Sequence, residues 1–187
     1  MSKKADDKFK SYFVAIVPPS PFYEQAQELK VHFKDQYQSK ASLNSPPHVT
    51  LHMPFKWKEE KEEQIETALN DFTSQHKLFQ LKLNNFSCFP PKVIFIDVDR
   101  NEAITHLQKE LYRFCKRKLN LFNADYKDLP FHPHLTLAFR DLKKRNFELA
   151  WEEFKEKKFE ASFNVSKIVL LKHTGKVWKE YREFELN

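Results

Sequence analysis

Two fragments of the chain share one pattern of chemistry-bearing residues. Pro47-His48-Val49-Thr50-Leu51 and Pro133-His134-Leu135-Thr136-Leu137 both read Pro-His-aliphatic-Thr-Leu. Eight His and 16 Ser plus Thr would give roughly 0.7 His-x-Ser/Thr elements by chance, so the bare element says little. The five-residue match, found twice and each time in an apolar β-rich setting, says more. Strand side chains alternate between faces. His48 and Thr50 therefore share one face of their strand, and His134 and Thr136 share one face of theirs. Val49, Leu51, Leu135 and Leu137 point the other way, toward a core.

Two imidazoles and two hydroxyls brought together could break or make a phosphodiester. Histidine titrates near neutral pH, so one ring can act as base while the other acts as acid. Threonine hydroxyls can donate to nonbridging phosphate oxygens, and an imidazolium adds positive charge where negative charge develops. No metal or other cofactor is needed for this chemistry. A second set competes with it. His132 and His52 fall two residues from the motifs and are expected on the same faces, where they could line the cleft or join a His-rich metal site. Phe55, Phe131 and Phe139 flank the motifs and could stack a nucleobase or simply fill the core. Lys56, Lys58, Lys92 and Arg140 could steer an anion. His32, His76 and His106 fall on helices and are given no role.

Composition narrows the classes. The chain has 187 residues, 41% of them apolar, and a net charge of +6. One core can form, and anionic partners are favoured. A single glycine, Gly175, excludes glycine-rich phosphate loops, so side chains must handle any phosphate. Cys88 and Cys115 have no metal-type spacing, and no long apolar run is present. A cytoplasmic protein is expected, with no membrane association and no obligate protein partner.

The elements that must position the motifs alternate. Strands are read at 11–19, 48–55, 78–86, 92–98, 134–139, 163–172 and 177–186. Helices are read at 20–39, 58–74, 101–118 and about 147–157, with Ser20 as a cap of the first. Gly175 supplies the turn of a closing hairpin. Helices between strands, with two hairpins, predict an α+β fold of mainly antiparallel sheet. Residues 1–10 are expected to be a charged tail, and 11–187 one domain.

"SPPHVTL" and "FHPHLTLAF" resemble the paired motifs of the two-histidine phosphoesterases, specifically the bacterial 2'-5' RNA ligase and cyclic nucleotide phosphodiesterase group. "YFVAIVPP", "FSCFPPKVIFIDV" and "IVLLKHTG…YREFEL" resemble that family's opening strand, middle hairpin and closing hairpin. The resemblance implies two pseudo-symmetric lobes around a central cleft. It implies catalytic roles for His48 and His134 and phosphate binding by Thr50 and Thr136. It also implies metal-independent action on 2',3'-cyclic phosphates of nucleotides or RNA ends, or joining of RNA ends through a 2'-5' bond. A nucleotide- or RNA-binding protein with little turnover is the alternative from another class. Two departures concern substrate choice: the family often has arginine where this chain has Lys92, and a small hydroxyl residue near His173.

Overall fold

A computed structural model describes residues 8–122 and 130–187. Residues 1–7 of the expected tail lie outside the described residues, and the first strand opens at Phe9. The strands are β1 (Phe9–Ile16), β2 (Val49–Lys58), β3 (Phe79–Phe89), β4 (Val93–Val98), β5 (His134–Ala138), β6 (Glu160–Val165), β7 (Lys167–His173) and β8 (Trp178–Glu185). The helices are α1 (Phe22–Tyr37), α2 (Glu62–Thr73), α3 (Glu102–Leu119) and α4 (Lys144–Phe154).

The strands form one sheet in the order β6-β3-β4-β5-β2-β1-β7-β8, with every pairing antiparallel. The order reads as two equivalent halves back to back. One runs β2-β1-β7-β8 and the other β5-β4-β3-β6. The two motif strands are innermost and meet at the seam, where Val49 pairs with Leu135. The fold is α+β, as the alternation predicts.

All four helices cover one face of the sheet. Their apolar stripes, such as Ile65, Leu69 and Phe72 of α2, bury with Val14, Leu51, Leu135 and Ile96 in one large core. The stripe of α3 is closed at both ends. Asn101 accepts from the Ile104 N–H at 2.9 Å, and Asn120 takes a left-handed conformation (φ 58°) at the far end. On the helix-free face, Phe13, Ala15, Val169 and Leu171 form a second, smaller cluster under Val17 and Trp178. β1 is therefore apolar at consecutive positions because both of its faces are covered.

The run 163–172, expected as one strand, divides at Ser166 into β6, an outer strand of one half, and β7, an inner strand of the other. With a single residue between them, the sheet must curl until these strands lie end to end. No Gly or Pro marks the break. The helix expected from Lys58 starts at Glu62, because β2 continues to Lys58. Ser20 does not cap α1: its hydroxyl donates to the Glu24 carboxylate at 2.7 Å.

Candidate active site

His48 immediately precedes β2, and His134 opens β5. Continuing the Val49–Leu135 register one step each way sets His48 opposite Thr136 and Thr50 opposite His134. Side chains so paired stand about 5 Å apart at Cβ. All four are half-buried on the helix-free face, while Val49, Leu51, Leu135 and Leu137 are at most 1% exposed beneath them. The alternation read from sequence holds at both motifs.

The two rings are held identically. His48 Nδ1–H donates to the Pro46 carbonyl at 2.7 Å, and His134 Nδ1–H donates to the His132 carbonyl at 2.8 Å. In each case the acceptor lies two residues upstream. A carbonyl can only accept, so each neutral ring carries its proton on Nδ1 and presents the Nε2 lone pair outward. Phe13 packs against His48 at 4.8 Å between ring centroids, and Phe95 against His134 at 5.0 Å.

The surroundings differ beyond that. Burial pushes the His48 imidazole down to about 4. The Pro46 carbonyl opposes the shift, and the Lys30 ammonium and His134 reinforce it. Burial also lowers His134, which the His132 carbonyl and Asp97 pull back up while the His132 ring adds to the lowering. Asp97 pairs across the ladder with His134. Its Oδ1 lies 3.3 Å from His132 Nε2, whose Nδ1 accepts from Arg100 at 2.8 Å. His132 is thus engaged at both nitrogens and sits beside His134. Phe89 is 39% exposed, lies over Phe95 at 4.5 Å, and turns its edge to His132 and His134.

His52 does not share the face of His48. The β1–β2 register slips between Val14–His52 and Ala15–Thr50. This bulge turns His52 beside Val14 into the main core, where it is fully buried and its Nδ1 bonds the Met53 carbonyl at 2.9 Å. Phe55 follows it inward, 5% exposed against Tyr12 and His52. Phe131 is half-buried and packs against the main core. Lys92 is exposed on the β3–β4 turn, one turn from Phe89. His173 closes β7 edge-on to Trp178, and its Nδ1 accepts from the Gly175 N–H at 3.2 Å, which leaves an Nε2–H donor. No group of three or more potential metal-ligating side chains converges among the described residues.

Sequence reading missed Lys30, Asp97, Arg100 and Phe89. Only Lys30 left a signal. It falls at the helical spacing of Ala26, Phe33 and Tyr37, a charged residue in an apolar stripe.

Fold and paired motifs define a phosphoesterase of the two-histidine class. The model of the 2'-5' RNA ligase superfamily matches residues 18–177, and the chain belongs to that superfamily. It is similar to a protein of Geobacillus sp. (strain WCH70) that bears a provisional phosphoesterase name. The two are 29% identical over 133 residues, covering 70% of this chain and 69% of the relative. A Bacillus cereus (strain AH820) protein with the same kind of name is 27% identical over 127 residues, 67% of each chain. The fold is shared with the protein TT0787 of Thermus thermophilus at a TM-score of 0.66 and 19% identity, covering 94% of this chain and 97% of that one. It is shared equally with Escherichia coli LigT, at a TM-score of 0.66 and 19% identity over 96% and 99% of the two chains. No helix among the described residues is long and apolar enough to cross a membrane.

Proposed function

We propose that the cleft hydrolyses the 2',3'-cyclic phosphate of a nucleotide or an RNA end by metal-independent acid-base catalysis. The observation that carries this reading is the matched pair of rings, each fixed by its Nδ1–H with Nε2 outward, set among two threonine hydroxyls. One neutral ring takes a proton from water at Nε2 as the water oxygen bonds to phosphorus. The other ring, protonated, gives its Nε2 proton to the ribose oxygen as the P–O bond breaks. Thr50 and Thr136 donate to the nonbridging oxygens. Each ring keeps its carbonyl bond in both protonation states, so neither must reorient during the cycle. LigT of E. coli has been crystallised with 3'-AMP, which favours a nucleotide ligand for the same cleft. The domain is taken as one bilobal unit over residues 11–187.

With a ribose 5'-hydroxyl in place of water as the attacking group, the same rings would form a P–O5' bond as the P–O3' bond breaks, which leaves a 2'-5' linkage. The test is turnover of 2',3'-cyclic AMP and of RNA with a 2',3'-cyclic end, with and without EDTA. Activity survives EDTA and falls by about 10³-fold or more in His48→Ala and in His134→Ala. Full activity in either variant would refute the two-imidazole reading.

A further inference from the structure

Lys30 is a charge the mechanism above does not use. It lies on the helix side of the sheet and is 1% exposed. Its Nζ donates to the Ser45 carbonyl at 2.8 Å, and it has no carboxylate partner among the described residues. The next carbonyl along, that of Pro46, is the one holding His48. The ammonium and the imidazole thus hang from adjacent peptide groups, with the helix on one side and the cleft on the other.

A buried ammonium without a counter-ion is costly, and a methionine of similar shape would pack there more cheaply. We propose that the missing counter-ion is the substrate's phosphate: Lys30 is a buried electrostatic anchor whose charged form an anion in the cleft favours. This rests on the cleft being a phosphodiester site. Lys30 acts through the field across the Ser45-Pro46-His48 segment and does not touch substrate.

The other charged groups facing α1 leave this role open to the ligand. On β5 the nearest titratable group is His134, which burial keeps toward its neutral form. The Asp141 carboxylate beyond β5 already accepts from the Ser39 hydroxyl and the Lys40 and Ala41 N–H groups. On α4, Glu153 accepts from Tyr37 and Lys157 and pairs with His32. Burial alone lowers Lys30, to about 7. Burial thus disfavours the charged form of all three groups, and an anion in the cleft favours proton uptake. By linkage, an anion that raises the lysine's pKa by one unit binds about tenfold more tightly to its charged form.

Sulfate is the probe, because it stays a dianion throughout the range. Lysine side chains labelled with ¹³C at Cε are followed by NMR from pH 5 to 11, in sulfate and in chloride of equal ionic strength. One resonance, absent in Lys30→Met, titrates near neutrality in chloride and moves up by about one unit or more in sulfate. From pH 6 to 9 the sulfate affinity of the wild type falls about tenfold further than that of Lys30→Met, in which only the two imidazoles remain to take up protons. A purely structural lysine would leave both unchanged. A Lys30 resonance in the ordinary lysine range, or one insensitive to sulfate, overturns the proposal, and this wild-type measurement does not depend on the variant folding. A sulfate-sensitive Lys30 in a protein that does not turn over cyclic phosphates would overturn the phosphodiesterase reading instead.

Discussion

Val49 and Leu135 face each other across the seam, and the two halves of the sheet register on that pair. The four motif side chains are placed one residue to either side of it. The imidazole of one half is thereby set against the hydroxyl of the other.

Leu135 is fully buried, so Leu135→Ala leaves a cavity at the seam. The expected loss is about 2–5 kcal/mol in urea unfolding. Thr136→Val keeps the volume and removes the donor. It leaves stability within about 1 kcal/mol and lowers kcat/KM about 10–100-fold, the effect of one hydrogen bond to a charged group. Equal stability losses in the two variants would contradict this division of labour.

The Lys30 ammonium has a stability signature separate from its anion effect. Its folded pKa, about 7, lies below the ordinary lysine value of 10.5 in the unfolded chain. Between those values the unfolded chain binds the extra proton, so the wild type gains stability as pH rises from 7 toward 10. Lys30→Met is expected to be more stable than wild type by about 1–4 kcal/mol at pH 7, with the advantage shrinking by pH 10. Thermal melts at the two pH values measure it.

His48 gives a second pH window by the same sign. Its folded value is near 4 against 6.5 unfolded. Its neutral burial favours the fold above pH 6.5, and that contribution is lost as pH falls toward 4. In His48→Gln, urea midpoints at pH 7 and pH 5 differ by less than in the wild type.

Asp141 follows β5, yet it grips the segment that leads to His48, accepting from Ser39, Lys40 and Ala41 at 2.8–3.0 Å. Asp141→Ala frees that segment. It costs about 1–3 kcal/mol and raises hydrogen exchange across residues 39–48. It lowers kcat more than it raises KM, since His48 is aimed by the Pro46 carbonyl on the same segment.

The motifs were legible because strand parity is a local rule, and nothing intervenes between His48 and Thr50 or between His134 and Thr136. Lys30 was missed, although it stood as a charge in an apolar stripe. Register was not legible. Asp97 and Phe95 reach the site only because β4 pairs with β5, a choice made by packing far along the chain. His52 looked like a third histidine on the motif face, and a bulge turned it inward. Ser166 carried no punctuation because the chain there changes neighbours without changing direction. Long-range pairing and bulges are tertiary decisions, and both leave the local pattern of apolar residues intact.

The nesting of the halves bears on synthesis. β3 to β6, residues 79–165, form one unbroken stretch, while the other half is split around it, with Phe13 paired to Leu171. As the chain leaves the ribosome, the second motif's half can close on local contacts, while β1, already able to pair with β2, waits for its second partner β7 more than a hundred residues away. The half that carries the first histidine is therefore completed last, when β7 and β8 arrive.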